Sequence, residues 1–227
     1  LALAVPFSGA GAAHAAPDDF RPKSGVTFNS PLGGADVRRA IFRKVIRSIN
    51  STKRGSQVKL FTWNFATSEG ADALLRAQKR GVRIRLIMDR QNNTEIPNPT
   101  FRRLRSGLAQ GNAKWPDDRR SWARMCTRSC RGSGGASHSK FFLFSEVGKV
   151  KRVVMQGSAN ITLAATNNQW NDLYTYTGNR AAWQFANKIF GEAAKDERVA
   201  RPFAVEKMTN SDFIMFPLEG KRSYDPV

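Results

Sequence analysis

The segment that most constrains the fold runs from Val58 to Asp89, because it reads as a strand, a helix and a second strand. The first strand, Val58–Trp63, alternates as a half-buried strand does. A helix is predicted from Gly70 to Lys79, where Arg80-Gly81 ends it, and VRIRLIMD follows as the next strand. Because strands joined by one helix of this length form a right-handed parallel unit, the segment predicts an α/β fold.

The remaining regular elements flank this unit. A strand is predicted at VTFNS, followed by a helix from Asp36, its predicted N-cap, to about Ser51. The segments KFFLFSE (140–146) and KRVVMQGS (151–158) are predicted to form a hairpin. The strand DLYTYTG and a helix over residues 179–197 come next. A chain of 227 residues is long enough for one domain of roughly 150–200 residues with extra segments.

The net charge of +19 restricts the class of partner. Such a charge attracts polyanions, whether nucleic acid, an anionic membrane surface or an acidic cell-surface polymer. An Arg-rich composition without any functional meaning is the alternative.

The N-terminal residues are small and apolar, and Ala13-His14-Ala15 is typical of a secretory cleavage site. We therefore predict a signal-peptide remnant at 1–15, a polar linker at 16–25 and a secreted mature protein. Removal of the signal also removes His14, which leaves His138 as the remaining histidine. No apolar tract reaches the roughly 20 residues that a membrane span needs.

A long irregular segment is predicted from Arg90 to Ser137, broken by a short helix at 100–108. Within it, Cys126 and Cys130 are predicted to form a disulfide, because the chain is expected to be exported. Aromatic and basic residues interleave here, which favours binding of a polyanion through Trp stacking and Arg–phosphate contacts. The residues assigned to this contact are Arg119, Arg120, Trp122 and Arg124. A solvated loop held by the disulfide is the alternative.

The residues that point to chemistry lie in SGGASHSKFFLF and in QGSANIT. His138 and Lys140 stand two apart at the start of a strand, so their side chains project to the same face. The adjacent strand of the hairpin ends in Gly157, Ser158 and Asn160 at the same sheet edge. An ammonium, a hydroxyl and an amide beside an imidazole make a cradle suited to a phosphate group.

His-x-Lys followed 17 residues later by Gly-Ser-x-Asn resembles the signature of the phospholipase D superfamily. The preceding strand–helix–strand segment also resembles that superfamily, and the similarity covers residues 26–198. The resemblance implies an α/β/α sandwich with a mixed, largely parallel central sheet. It also implies that His138 forms a phosphohistidine, while Lys140, Ser158 and Asn160 hold the phosphate oxygens. No cofactor and no metal are expected.

Two positions near the motif depart from the family pattern or leave an alternative open. The family carboxylate five residues after the lysine falls on Ser145, and Glu146 is expected to face the other side of the strand. This departure puts a structural acid in doubt. Asn171 or Asp172 is expected to hold His138 in one tautomer, the acid being chemically better and the amide better aligned.

The family site takes two such motifs, one histidine attacking and the other donating a proton. This chain has one, so the second is expected from a homodimer or from a missing second half. The segment 205–227 resembles the opening of the predicted domain at 26–204, because IMFPLEGKRSYDPV is similar to VTFNSPLGGADV. It is therefore predicted to begin a second, truncated repeat.

Three functions remain open from the sequence. The basic charge and the Arg/Trp segment favour a nuclease-like phosphodiesterase. A secreted phospholipase D acting on lipid headgroups is the alternative enzyme, although no exposed apolar rim is visible and Phe141, Phe142 and Phe144 are predicted to be core. The alternative of another class is a non-catalytic polyanion-binding module with a degenerate site.

Overall fold

A computed structural model describes residues 19–218 of the chain. The predicted signal remnant and the last part of the predicted second repeat, residues 219–227, lie outside the described residues. The elements follow in this order: β1 Gly25–Asn29, α1 Ala35–Arg38, α2 Ala40–Asn50, β2 Gln57–Thr62, α3 Ser68–Lys79, β3 Arg83–Asp89, α4 Gln91–Thr94, α5 Pro99–Gly111, β4 Trp122–Cys126, β5 Phe141–Val147, β6 Val150–Gly157, α6 Leu163–Asn167, β7 Asn171–Tyr176, α7 Arg180–Ala193, β8 Ala204–Met208 and β9 Ser211–Met215.

Within the described residues, seven strands form one mixed sheet in the order β1-β7-β6-β5-β2-β3-β4. The β2–β3 pair is parallel, as the strand–helix–strand pattern predicts, and the unpredicted β3–β4 pair is parallel as well. The pairs β1–β7, β7–β6, β6–β5 and β5–β2 are antiparallel. The mixed sheet is confirmed, but the expectation that it is largely parallel is wrong. The reason is that tight turns and irregular segments, rather than crossover helices, join the later strands.

Helices cover the two faces of the sheet unequally. Helices α2, α3 and α5 pack on one face, over a core that includes Val45, Leu74 and Leu104. Helix α7 and the β8–β9 hairpin pack on the other face, around Phe141 and Phe213. The layered α/β arrangement is therefore confirmed, with a smaller cover on the second face.

Side chains define where several helices begin. The Thr67 hydroxyl accepts a hydrogen bond from the Gly70 amide at 3.3 Å, which starts α3. Asn179 caps α7 in the same way. Asp36 was predicted to be an N-cap, but it lies in the first turn of α1, where it pairs with Arg43. Gly34 occupies the cap position instead.

The segment predicted to be an irregular loop contains more structure than expected. The short helix predicted at 100–108 is confirmed as α5, whereas α4 and the edge strand β4 are additional, and β4 extends the sheet by parallel pairing with β3. Trp122 and Arg124 therefore lie on a strand rather than on a flexible loop. The predicted disulfide joins Cys126, at the end of β4, to Cys130.

The β8–β9 hairpin packs on the domain. Phe213 is fully buried, with its ring centroid 5.2 Å from that of Phe185 on α7. Arg131, 2% exposed, forms an ion pair with Glu192 and donates to the Phe216 carbonyl at 3.5 Å. The boundary predicted between residues 204 and 205 thus falls at the start of β8, and the truncated repeat stays a prediction.

Candidate phosphodiester site

The two predicted motif segments meet at one edge of the sheet. Phe141, the first residue of β5, pairs with Gln156 near the end of β6. The Gly157 amide donates a hydrogen bond to the Lys140 carbonyl at 3.1 Å, which joins the segments just before the strands part. We call His138, Lys140, Gly157, Ser158 and Asn160 the His138 site.

Trp63 organises the cationic part of this site. The Lys140 side chain is 6% exposed, its ammonium lies 5.7 Å from the Trp63 ring centroid, and it donates to the His138 carbonyl at 2.7 Å. The His138 ring is exposed and its centroid lies 5.0 Å from that of Trp63. Among the described residues, no ion pair joins Lys140 to a carboxylate. The sequence singled out no role for Trp63, because it follows β2 and looks like an ordinary strand residue.

The local environment changes the acidity of both groups. Burial lowers the pKa of Lys140 to about 8. The pKa of His138 is lowered from its ordinary value of 6.5, first by partial burial and then by the Lys140 charge, while the Asp89 carboxylate opposes the shift. His138 is therefore neutral at pH 7, as a nucleophile must be, and Lys140 remains mostly charged.

Asp89 anchors the segment that leads into His138. Its carboxylate is buried and accepts hydrogen bonds from the Ser137 amide at 2.6 Å and from the Gln91 amide at 2.8 Å. In the sequence, Asp89 is recognisable only as the last residue of the predicted strand. The structure places it at the end of β3, where it fixes the backbone next to the imidazole.

Gly157 and Ser158 sit where β6 approaches β7 closely. A Cβ atom at Gly157 would stand 2.1 Å from the Asp172 carbonyl oxygen, so only glycine fits there. The exposed Ser158 hydroxyl donates to Asn171 Oδ1 at 3.2 Å and accepts from the Asp172 amide at 3.1 Å. A phosphate that takes the Ser158 proton must therefore replace the bond to Asn171.

This arrangement corrects the expectation for the residues at 171 and 172. Among the described residues, no hydrogen-bond partner reaches the His138 ring, and neither Asn171 nor Asp172 does so. The Asn171 side chain donates to the Ala165 carbonyl at 3.0 Å, which leaves its oxygen to accept from Ser158. Asn171 thus orients the hydroxyl and not the imidazole.

Asn160 presents a donor to the site. Its Oδ1 accepts from the Asn64 amide at 3.1 Å and lies 3.4 Å from the Thr62 hydroxyl. These contacts fix the amide plane, and its Nδ2 makes no hydrogen bond within residues 19–218. An Nδ2 held in this way can donate to a phosphate oxygen.

Asn29 is a structural residue that the sequence did not reveal. It is 3% exposed, and its Nδ2 donates to the carbonyls of Ala165 and Gln169, at 3.2 and 3.1 Å. Its Oδ1 accepts from the Asn171 amide at 2.9 Å. Asn29 therefore ties β1 to the segment that supports Asn171 and Ser158. A polar residue at the end of an otherwise apolar strand was the available signal.

Ser145, which stands where the family has a carboxylate, makes a local hydrogen bond between two strands. The Ser145 hydroxyl accepts a hydrogen bond from the Gln57 amide at 2.8 Å, at the start of β2 and the far end of β5 from His138. Glu146 pairs with Lys53 at 3.6 Å. Ser145 therefore satisfies a backbone donor between two strands and does not touch the His138 site.

A cavity of about 340 Å³ opens at the site. Its walls come from residues 136–141, from Gln156 and Gly157, and from residues 214–217 at the end of β9 and just after it. The C-terminal part of the described chain thus limits access to His138. Within residues 19–218, no group of three or more His, Cys, Asp and Glu side chains could hold a metal ion.

Two exposed aromatic residues flank the other side of Ser158. Phe28 and Trp170 are each 66% exposed and line a shallow cavity together with Asn171 and Asp172. We call Phe28 and Trp170 the aromatic rim. The sequence had shown no exposed apolar rim, so this is a correction. The three phenylalanines of β5 are buried, as predicted.

The predicted polyanion-binding residues do not form one loop surface. Arg119 and Arg120 are exposed beside a short 3₁₀ turn, and Arg120 pairs with Asp117 at 2.9 Å. Trp122 is half-buried, and its ring centroid lies 5.9 Å from that of Phe190. The Arg124 guanidinium lies 4.6 Å from the centroid of the Trp122 ring. One face of the Trp122 indole is therefore covered by Phe190. That face is not free for the stacking on a base that the sequence predicted.

Comparison with known proteins agrees with the fold and with the motif. The family model of the cardiolipin synthase phospholipase D-like domain matches residues 45–192. Nuc from Salmonella typhimurium, a phospholipase D family member, is similar in structure at 19% identity with a TM-score of 0.53, over 78% of this chain and 100% of that one. NucT from Helicobacter pylori is similar at 18% identity with a TM-score of 0.55, over 77% and 96%. Comparison with curated protein sequences finds no match.

The fold and the matched segment define a phosphodiesterase-type α/β domain. The family match covers more than half of the 227 residues, and the chain belongs to the phospholipase D superfamily. The structural likenesses, all below 25% identity, establish the fold. No helix of the described part of the chain is long and apolar enough to cross a membrane.

Proposed function

We propose that this protein is a phosphodiesterase in which His138 is the nucleophile and forms a covalent phosphohistidine. Lys140, Ser158 and Asn160 hold the non-bridging oxygens of the substrate phosphate. The reaction uses no cofactor and no metal ion, because one ammonium, one hydroxyl and one amide supply the electrostatic stabilisation.

The observation that carries this proposal is a buried ammonium, with which no carboxylate of residues 19–218 forms an ion pair, beside an exposed neutral imidazole. A buried cation without a counter-ion is costly, and an anion bound at the cavity would offset that cost. The lowered pKa of His138 keeps a nitrogen lone pair available at pH 7. A structural histidine would not need Lys140 beside it.

The proposed reaction has two steps. An imidazole nitrogen of His138 attacks phosphorus, the bond from phosphorus to the leaving oxygen breaks, and a second imidazolium protonates that oxygen. Water then attacks the phosphohistidine, the P–N bond breaks, and its electron pair returns to His138. The second imidazole accepts the proton from water, so each histidine ends in its starting state.

The second histidine has to come from outside the His138 site of one chain. We propose that a two-fold homodimer supplies the partner's His138, since an isologous interface brings the same residue from both copies to one place. A second motif elsewhere in the full-length protein is the alternative. A mixing experiment separates these two sources.

The proposed substrate class is nucleic acid. The net charge of +19 favours a long polyanion over a single headgroup. A phospholipase D acting on lipid headgroups is the second candidate, because the aromatic rim beside Ser158 is the kind of exposed apolar surface that enters a membrane interface. A secreted location is part of both proposals, and both substrates would then be met outside the cell.

The test compares the wild-type protein with His138→Asn on supercoiled plasmid DNA and on phosphatidylcholine vesicles, with EDTA present. We expect wild-type cleavage of the plasmid and a loss of at least about 10⁴-fold in the variant. Cleavage of the lipid alone would replace the nuclease by the second candidate. If the wild type turns over neither substrate although it binds DNA, the nuclease proposal fails for this chain alone, which leaves the non-catalytic polyanion-binding module or a site that needs a second motif from elsewhere in the full-length protein.

Mixing the two proteins after exchange of subunits tests the homodimer. If each site needs both copies of His138, an equal mixture of wild type and variant has about one quarter of the activity of the wild type alone at the same total protein concentration. Retention of about one half would mean that each chain acts independently, and it would rule out the shared site.

A further inference from the structure

Four cations lie side by side on the sheet face that carries α7. Lys59 on β2 pairs in register with Arg85 on β3, and Arg85 pairs with Trp122 on β4. Arg83 stands two residues before Arg85, and Arg124 two residues after Trp122, so both project to the same face. We call Lys59, Arg83, Arg85 and Arg124 the cationic face.

No acid neutralises this cluster. Within residues 19–218, no ion pair joins any of its four members to a carboxylate. The Arg83 guanidinium donates to the Asp118 carbonyl at 2.8 Å, and the Lys59 ammonium donates to Asn187 Oδ1 at 2.6 Å. The buried Nε atoms of Arg83 and Arg85 have no hydrogen-bond partner.

The like charges act on one another. Burial, followed by the charges of Arg85 and Arg83, lowers the pKa of Lys59 to about 8. Burial and then the neighbouring guanidinium groups of Arg83 and Arg124 also lower the pKa of Arg85. The folded protein therefore carries a repulsion that a bound anion would relieve.

Aromatic packing holds the cluster in place. Trp122 lies 5.9 Å from the Phe190 ring and supports Arg124 at 4.6 Å and Arg85 at 5.7 Å. The Lys59 ammonium lies 5.3 Å from the Phe190 ring centroid. Two rings thus present cations on a rigid sheet, where a mobile loop would let them move apart.

We propose that the cationic face is a second anion site, which binds phosphates of a nucleic-acid strand at a distance from the phosphodiester held by His138. Lys59 precedes Trp63 by four residues, which is about 13 Å along a strand. A few nucleotides span such a distance. The link to cleavage rests on the proposed function, whereas the binding itself does not.

The geometry favours a nucleic-acid strand over a membrane. The aromatic rim is built on β1 and beside β7, whereas the cationic face lies on β2, β3 and β4 at the other side of the sheet. Four strand spacings, or about 19 Å, separate β1 from β2, the nearest strand of the cationic face, and six spacings, or about 29 Å, separate it from β4. A single strand of nucleic acid can extend across that distance. A lipid headgroup bound at the aromatic rim cannot reach the cations.

The test uses the variant Arg83→Gln/Arg85→Gln and the control variant Arg76→Gln/Arg105→Gln. The control removes the same charge from exposed positions on α3 and α5, which pack on the opposite face of the sheet. A fluorescent twenty-nucleotide single strand, a labelled trinucleotide and phosphatidylglycerol vesicles serve as probes. Circular dichroism establishes that both variants are folded.

We expect the first variant to bind the long strand about tenfold more weakly at 0.1 M salt, with a salt slope lower by about 1.4. The control keeps the wild-type affinity, and the trinucleotide loses less than the long strand does. An affinity for the long strand equal to that of the control would overturn the proposal. So would a loss confined to the vesicles, which would assign the cationic face to lipid.

Failure of the proposed function gives a different result. The wild-type protein could cleave no nucleic acid while the first variant still loses binding of the long strand. This result would support the second anion site and contradict the proposed nuclease activity. Thermal unfolding supplies a second measurement. At low salt, the long strand should raise the unfolding midpoint of the wild type more than that of Arg83→Gln/Arg85→Gln, because binding to the folded state stabilises it.

Discussion

Lys140 and Lys59 have the same lowered pKa of about 8 and each lies over an aromatic ring, yet they stand in different surroundings. Lys140 is a single buried cation at the mouth of a cavity, beside a neutral imidazole. Lys59 is one of a group of like charges on the sheet face that carries α7, and it donates to Asn187 of that helix. Desolvation alone lowers the first pKa, whereas the guanidinium groups of Arg85 and Arg83 add to burial for the second.

The difference shows how one charge type can serve two purposes in one sheet. A desolvated lone cation interacts strongly at short range and is weakly screened by salt. A group of partly exposed cations acts over a longer range and is screened more. The first arrangement suits the phosphate that reacts, and the second suits phosphates that only need to be held.

The largest expected effect separates the two lysines by substitution. Lys140→Gln should lower kcat/KM by about 10²–10³-fold on substrates of any length, because it removes a charge that touches the reacting phosphate. Lys59→Gln should lower it by only about twofold to fivefold, and mainly on long strands. Steady-state kinetics on a short and a long substrate measure both, and equal losses in the two variants would erase the distinction.

The dependence of kcat/KM on pH should show the protonation state of Lys140. Above the pKa of the histidines, loss of the second imidazolium makes kcat/KM on a short substrate fall by about tenfold per pH unit, and above pH 8 deprotonation of Lys140 should steepen the fall to about a hundredfold per unit. On the acid side the rate falls as His138 becomes protonated, and because the pKa of His138 is lowered, this limb should lie at a lower pH than that of an ordinary histidine. An alkaline limb that does not steepen above pH 8 would exclude Lys140 from the site.

Asp89→Asn should have an intermediate effect through positioning. An amide has one oxygen, so it cannot accept from both the Ser137 and the Gln91 amides as the carboxylate does. We expect kcat to fall by about tenfold with KM less affected. Because the carboxylate raises the pKa of His138, the acid limb should also move to lower pH. Loss of activity with an unmoved acid limb would indicate general destabilisation.

The smallest effect concerns stability. The pKa of Lys140 is lower in the folded than in the unfolded protein, so the unfolded state binds more protons between pH 8 and 10.5. The free energy of unfolding of the wild type, relative to that of Lys140→Met, should therefore rise across this window by about 1–3 kcal/mol. Urea unfolding at pH 7.5 and at pH 10 measures the change, and a constant difference would contradict the burial of a charged Lys140.

Local patterns predicted the elements and the motif, because they depend on neighbours in the sequence. The β5–β6 hairpin follows from alternation on both sides of a short turn, and it brings Lys140 beside Gly157. The parallel pair β2–β3 follows from its crossover helix. The antiparallel pairing of β2 with β5 could not be predicted, because an irregular connection does not fix strand direction.

The supporting contacts depend on residues far apart in the chain. Asn29 meets the Asn171 amide across 142 positions, and Asp89 meets Ser137 across 48. Each looks like an ordinary polar residue at a strand end. The cationic face is hidden for the same reason, since only the register of three strands brings Lys59, Arg85 and Trp122 into one row.

The most direct test is to trap the proposed phosphohistidine. The wild-type protein is mixed with an oligonucleotide substrate, quenched at alkaline pH within the turnover time, digested and analysed by mass spectrometry. The proposed mechanism predicts an adduct on His138 in which phosphorus still carries the retained part of the oligonucleotide, and this adduct is absent from His138→Asn. Cleavage by the wild type with no adduct at His138, and with activity retained in the variant, would contradict it.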